Sequence, residues 1–79
     1  MDIETAEVHV AERSSLVGKP LSDSAVRQAA RVMILAMRRA AGGHFEVNPA
    51  PETRIGAGDY LIAIGSPDHI KKLESLARA

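Results

Sequence analysis

Val-Met-Ile-Leu-Ala-Met-Arg-Arg, residues 32–39, is the stretch around which the rest of the chain can be arranged. Its first six residues are apolar at both odd and even positions, so neither face of this element has the polar side chains of a solvent-exposed face. Six residues suffice for a strand but are short for a helix, and the run therefore predicts a central β-strand. Arg38 and Arg39 bring the chain back to solvent. Residues 40–43, Ala-Ala-Gly-Gly, then predict a hairpin connection in which the glycines adopt positive φ.

Three further segments have the pattern of strands that could pair with this one. Residues 5–11 alternate between apolar and polar side chains, the period of a strand with one wet face. Residues 44–48 alternate again, and Phe45 and Val47 are predicted to point inward. Residues 60–64, Tyr-Leu-Ile-Ala-Ile, are apolar on both faces and predict a second central strand.

Two segments have the signals of helices. Ser22 is a suitable N-cap for a helix that runs to about Ala30, and Leu21 and Val26 are spaced to form a hydrophobic staple. The sequence Ser-Pro-Asp at residues 66–68 predicts a second helix start, with a hydroxyl cap followed by proline in the first turn. That helix would bury an apolar stripe made of Ile70, Leu73, Leu76 and Ala77.

The element order is therefore β-α-β-β-β-α, which predicts an α+β fold with a four-stranded, mostly antiparallel sheet and two helices. The two helices can cover only one face of such a sheet. Because two strands are apolar on both faces, the second face also needs a cover, and a second copy of the chain is the simplest candidate. Met33 and Met37, which share a strand parity, are predicted to lie on one face, in the core or in that dimer interface.

Composition narrows the class of protein. Seventy-nine residues predict a single domain, 1–79, which is short enough to be only marginally stable alone. There is no cysteine, so neither disulfides nor zinc-thiolate sites can add stability, and oligomerisation is the remaining common means. Ten basic and ten acidic residues give no net charge, and the chain has one Tyr, one Phe and no Trp. We therefore expect no nucleic acid as a main partner, because binding phosphate backbones requires basic residues and binding single strands requires aromatic ones.

No catalytic apparatus is recognisable, and the chain is predicted not to be an enzyme. The serines occur in turn, cap or helix-surface contexts, outside any Gly-x-Ser-x-Gly elbow, and no His-Glu-x-x-His or phosphate-cradling loop is present. Glu7 with His9, and His44 with Glu46, could converge on a divalent metal if their strands were neighbours. Alternating polar residues on strands more often form a solvated face, so no metal site is predicted.

Four pieces of the sequence together resemble the TrkA-C domain, the C-terminal lobe of RCK domains. They are Ser-Leu-Val-Gly-Lys-Pro-Leu at 15–21, the apolar strand that ends in basic residues at 32–39, Asn48-Pro49, and Ile-x-x-Gly-Asp-x-Leu-x-x-x-Gly at 55–65. The resemblance implies a cytoplasmic homodimeric regulatory module, placed at the inner face of the membrane by a partner or by a further segment. Its partner would be a channel or transporter for potassium or another cation, in the same or a separate chain.

The resemblance also implies a ligand site, because some members of the family bind cyclic di-AMP between two such lobes. The counterparts in this sequence are Ile34, Arg38, Arg39, Asn48 and Pro49. Guanidinium groups can pair with phosphates, and an asparagine amide can contact a base edge. No resident cofactor is implied, and cyclic di-AMP would be a regulatory ligand. The family's nucleotide-binding Rossmann lobe has no counterpart in this sequence.

Each of these features has a simpler alternative. Arg38 and Arg39 could serve only to solubilise the end of a hairpin, and Asn48-Pro49 could be only a turn. Gly58-Asp59 is expected to be structural, with the carboxylate accepting hydrogen bonds from turn amides. At the level of function, the alternatives are a ligand-free dimerisation module and the regulatory domain of a transcription factor.

Overall fold

The computed structural model describes residues 2–23 and 25–78 of the chain. The elements follow the predicted order: β1 (Glu4–His9), α1 (Ala25–Ala30), β2 (Met33–Arg38), β3 (Phe45–Val47), β4 (Tyr60–Gly65) and α2 (Pro67–Ala77). The strands form one sheet in the order β1-β4-β2-β3, and every neighbouring pair is antiparallel. The predicted α+β class, with a four-stranded sheet and two helices, is confirmed.

The two strands predicted to be central are the two in the middle of the sheet. Leu61 and Ala63 of β4 are completely buried, as is Met37 of β2. Helix α2 packs its predicted stripe against this inner face: Ile70, Leu73 and Ala77 are buried, and Leu76 is partly buried. Full burial of a Leu or Ile side chain stabilises the fold by about 1.5–3 kcal/mol, so this inner layer is the main source of stability.

Helix α2 starts at the predicted cap. The Ser66 hydroxyl accepts a hydrogen bond from the His69 amide at 3.3 Å, and Pro67 occupies the first turn, where its missing amide hydrogen is not needed. Helix α1 differs from the prediction. It begins at Ala25, not directly after Ser22, and it is a six-residue π-helix. The predicted span 22–30 also includes residue 24, which lies outside the described residues. Leu21 and Val26 are nevertheless both buried, as their predicted contact requires.

A β-bulge at Leu35 reorders the faces of β2. Ile34 pairs with Ala63 of β4, but the next pair is Ala36 with Ile62, so Leu35 is an extra residue. The side-chain parity changes there, and Met37 enters the core while Met33 remains 64% exposed. The prediction that these two methionines share a face was wrong, because the extra residue at the bulge shifts the alternation of side chains between the two faces by one position.

The same register corrects the prediction for β3. Phe45 lies opposite Arg38, and Val47 lies opposite Ala36, so both point away from the helices. They are 58% and 79% exposed. The residue of β3 on the inner side is Glu46, opposite Met37. We call the sheet surface opposite the helices the outer face; its apolar side chains are those of Met33, Ala36, Phe45, Val47, Tyr60, Ile62 and Ile64.

The two long connections are tied to each other. The amide of Gly18 donates to the Ile55 carbonyl at 2.7 Å, and the Ile55 amide donates to the Lys19 carbonyl at 2.9 Å. Gly18 has φ +84°, as its place in the turn requires. The buried Ser14 hydroxyl donates to the Leu76 carbonyl at 2.7 Å, which joins the first connection to α2.

Candidate functional site

A groove of about 370 Å³ lies beside the first half of β2. Strand β3 pairs with Ala36–Arg38, and in the described part of the chain no strand pairs with the first residues of β2 on that side. The chain leaves β3 at Pro49, which cannot donate a ladder hydrogen bond, and this ends the pairing. The space left open is lined by Leu21, Ser22, Val26, Arg27, Val32, Met33, Ile34, Asn48, Pro49 and Pro51. The structure thus brings together Ile34, Asn48 and Pro49 of the five predicted site residues.

Asn48 has an uncommon backbone conformation at the rim of this groove. Its φ is +51°, in the left-handed region that Asn tolerates better than most residues with a β-carbon. Its amide donates to the Leu35 carbonyl at 2.8 Å, next to the bulge. The bulge and the turn therefore fix each other, and together they place the Asn48 side chain on the groove.

Arg38 lies toward the other end of β2, about 13 Å along the strand from Ile34. Its guanidinium carbon is 4.1 Å from the centre of the Tyr60 ring on the outer face. Its Nη2 lies 3.4 Å from a Glu7 carboxylate oxygen on β1. Both partners belong to the outer face, so Arg38 is part of that surface and not of the groove.

Arg39 points to the opposite side of the sheet. Its Nε is 3.5 Å from Asp59 and 3.6 Å from Glu46. Asp59 is buried and also accepts from the Gly56 amide at 2.8 Å and the Ala40 amide at 2.9 Å. This is the structural role predicted for Asp59. Sequence reasoning did not predict the bond to Ala40, which joins the end of the β2–β3 hairpin to the turn before β4.

Arg27 is the residue of the groove that sequence reasoning missed. It is the basic residue in the last turn of α1, and it lines the groove together with Asn48 and Ile34. Arg27 is exposed, as a charged helix residue commonly is. Only the fold, in which α1 packs against α2, brings Arg27 to the groove, and no local pattern in the sequence carries that information.

Within residues 2–23 and 25–78, no group of three or more His, Asp and Glu side chains is arranged to hold a metal ion. His44 lies 3.9 Å from Glu46, whereas His9 contacts Tyr60 on the other edge of the sheet. The two His/Glu pairs do not meet, since β1 and β3 are opposite edge strands. Over the same residues, none of the helices is both long enough and apolar enough to cross a membrane.

Comparison with known proteins extends these observations. The curated "Probable potassium channel protein 2" of Methanocaldococcus jannaschii is 34% identical over 77 residues, which cover 98% of this chain but only 22% of that protein. The chain therefore spans about a fifth of the length of the channel protein it resembles.

Three solved structures with the same fold are each 26% identical to this chain. The RCK_C domain dimer of S. agalactiae BusR, in complex with cyclic di-AMP, superposes with a TM-score of 0.81 at 26% identity, over 91% of this chain and 92% of that one. The KtrA RCK C domain, from a potassium transport protein and also in complex with cyclic di-AMP, gives a TM-score of 0.78 at 26% identity, over 94% and 82%. BusR has also been solved with its busAB-promoter DNA (TM-score 0.80, 26% identity, 91% of this chain and 34% of that one).

The decisive comparison is with the family as a whole. A sequence model of the TrkA-C domain matches residues 5–78, nearly the whole chain. The predicted resemblance is confirmed, and the chain belongs to the TrkA-C (RCK_C) domain family, which supplies regulatory domains to potassium transport proteins.

Proposed function

We propose that residues 1–79 form a cytosolic, non-catalytic sensor module that dimerises and binds a nucleotide such as cyclic di-AMP beside the dimer interface. The observation that carries the proposal is the groove shared by Ile34, Asn48 and Pro49. It combines an apolar wall that suits a base with an amide that can contact a base edge. The BusR and KtrA domains, which have this fold, were both solved with cyclic di-AMP.

The outer face supports the dimer. Phe45, Val47 and Met33 are each more than half exposed, and they border the partly buried Ile62 and Ile64. A patch of this kind is usually covered by a partner. The similar BusR domain is a dimer, so a second copy is the occupant we propose. Met33 belongs to the outer face and also lines the groove, which supports a ligand position at the edge of the proposed interface.

Regulation would follow from the position of the ligand. A nucleotide that contacts both copies binds one relative orientation of the two more tightly than others, and it can shift the population only by that difference in affinity. We propose that this shift is passed to a channel or transporter for potassium or another cation, in the same or a separate chain. The M. jannaschii channel relative supports this partner class.

The test is thermal unfolding of the purified chain with cyclic di-AMP, other nucleotides and divalent cations, with the mass in solution measured in parallel. A saturable rise in Tm for a dimer supports the proposal; at a ligand concentration of 100 Kd the stabilisation is about 2.7 kcal/mol. A dimer whose Tm no compound changes would favour the ligand-free dimerisation module. A monomer without ligand response would refute the proposal.

Two variants locate the site. Asn48→Gly removes the side-chain amide and keeps a residue that accepts φ +51°, so the fold should persist while nucleotide affinity falls. The double variant Arg38→Gln/Arg39→Gln tests the two arginines of the proposed site that lie outside the groove. Lys71→Ala, on the exposed side of α2, is the control and should bind normally.

A second candidate function is the regulatory domain of a transcription factor, because BusR was solved on its promoter DNA. The chain has no net charge, so we propose that any DNA contact would come from another segment. The expectation of no nucleic-acid partner stays a prediction for this chain. Titration of the isolated chain with duplex DNA at two salt concentrations would test it, and a salt-dependent complex would contradict it.

A further inference from the structure

The ligand groove continues past Met33 into a second depression. This second groove has a volume of about 550 Å³ and is lined by Ile3, Arg27, Arg31, Val32, Met33, Ile64 and Gly65. Arg27, Val32 and Met33 line both depressions. The two therefore meet along one ridge, and a ligand larger than a single base could lie across it.

Both arginines of the second groove are available. Arg38 and Arg39 are already engaged with Glu7, Glu46 and Asp59. None of the ion pairs or side-chain hydrogen bonds between described residues involves Arg27 or Arg31. Both residues are exposed, so neither guanidinium has been desolvated without a partner.

The backbone at Arg31 is unfavourable for this residue type. Its φ is +60°, where a residue with a β-carbon costs about 1–2 kcal/mol relative to the right-handed conformation. The Arg31 amide donates to the Val26 carbonyl at 3.1 Å and closes the last turn of α1, a position that usually favours glycine. A glycine at this position would make the folded chain more stable than arginine does, because glycine adopts positive φ without steric cost. The Arg31 side chain lines the groove.

We propose that Arg27 and Arg31 form the phosphate-binding end of the ligand groove, taking the phosphates of a nucleotide whose base lies against Ile34, Asn48 and Pro49. This inference rests on the proposed function and assigns its anion contacts to residues of the α1 end instead of the β2 end. Guanidinium groups suit phosphate because their fork of N–H donors matches two phosphate oxygens.

A purely structural role gives a different expectation. Basic side chains near a helix C-terminus can interact with its last carbonyl groups, and their removal would then lower stability without ligand. Tm without ligand therefore separates the two roles. Arg31→Gly is the sharpest variant, because glycine suits φ +60°. Under the proposal its Tm stays equal or rises while affinity for nucleotide falls.

The experiment is isothermal titration calorimetry of the full chain with cyclic di-AMP, AMP and adenosine, together with Tm of each variant without ligand. The variants are Arg27→Gln, Arg31→Gly and, as contrast, Arg38→Gln/Arg39→Gln. Lys71→Gln/Lys72→Gln changes the charge by two on the exposed side of α2 and is the matched control. We expect Arg27→Gln and Arg31→Gly each to weaken cyclic di-AMP by about tenfold or more. Because adenosine lacks phosphate, these variants should bind it with the same affinity as the wild type.

The possible results distinguish a failure of the phosphate-site assignment from a failure of the proposed function. If the wild type binds cyclic di-AMP and both α1-end variants bind within twofold of it, the inference is wrong and the proposed function stands. If Arg31→Gly lowers Tm without ligand, Arg31 has a structural role and the inference is overturned. If the wild type binds none of the compounds, the proposed function fails and the inference fails with it.

Discussion

Asp59 offers the clearest test of how this small domain is held together. Its carboxylate oxygens accept from the Gly56 amide at 2.8 Å and from the Ala40 amide at 2.9 Å, and Arg39 Nε lies 3.5 Å away. A hydrogen bond to a charged acceptor contributes about 1.5–3 kcal/mol. The ion pair joins an Arg39 side chain that is 23% exposed to an Asp59 side chain that is 4% exposed, and because water reaches the guanidinium we expect the pair to contribute about 0–1 kcal/mol. The two amide bonds should therefore outweigh the ion pair.

The expected results follow from that ranking. Asp59→Asn keeps one acceptor oxygen but presents an NH₂ group to the other amide, so it should cost about 2 kcal/mol, or roughly 8–16 °C in Tm. Asp59→Ala removes both acceptors and should cost about 3–6 kcal/mol, close to the whole stability of a small domain. Arg39→Gln should cost no more than about 1 kcal/mol.

Urea unfolding followed by circular dichroism measures all three variants, with Glu52→Gln on an exposed turn as the control. Equal m values would show that the variants unfold the same structure. If Arg39→Gln costs more than Asp59→Asn, the ion pair and not the turn amides carries the stability, and the reasoning is refuted. A loss below about 0.5 kcal/mol for Asp59→Asn would refute it as well.

Three further predictions use the same unfolding assay. Leu61→Asp places a charge in the buried inner layer and should prevent folding. Ile62→Asp, on the outer face, should leave a folded monomer with half the solution mass of the proposed dimer. A folded Leu61→Asp variant would mean that the strand faces are assigned wrongly. Gly58→Ala should cost about 1–3 kcal/mol, because φ is +82° and the new β-carbon would lie 3.1 Å from that of Ala40; an unchanged midpoint would contradict this conformation. Ser14→Ala should cost about 1–3 kcal/mol, because the buried hydroxyl donates to Leu76 and accepts from the Leu16 amide at 3.0 Å; a neutral result would mean that water replaces it.

The sequence predicts the elements of this fold better than their faces. Hydrophobic period and turn residues are local, so the strand order along the chain, the Ser66 cap and the positive φ of Gly42 and Gly43 could all be predicted. The bulge at Leu35 leaves no local mark, because the run around it is apolar at every position. Unless the bulge is known, the face of each β2 side chain and the register of β3 cannot be assigned from the sequence. This is why Phe45 and Val47 were predicted on the wrong side of the sheet.

The candidate site divides in the same way. Ile34, Asn48 and Pro49 lie within one turn and its neighbouring strand, and the family resemblance placed them together. Arg27 of helix α1 lies 21 residues before Asn48 in the chain, and the two line one groove through packing that no motif encodes. Arg38 and Arg39 are adjacent in sequence, yet successive strand residues face opposite sides, and each is engaged on its own side of the sheet.

The one-sided placement of the helices also limits how many copies can assemble. Helix α2 packs on the inner surface of the sheet and helix α1 packs against α2, so within the described residues the outer face is the sheet face left uncovered by helices. Growth by edge pairing is discouraged at both ends, because β1 carries Glu4, Glu7 and His9 along its length and β3 has only three residues. Two copies that stack face to face leave no equivalent surface for a third. In the proposed dimer, association through this face would therefore stop at two copies and would not continue into an open-ended polymer.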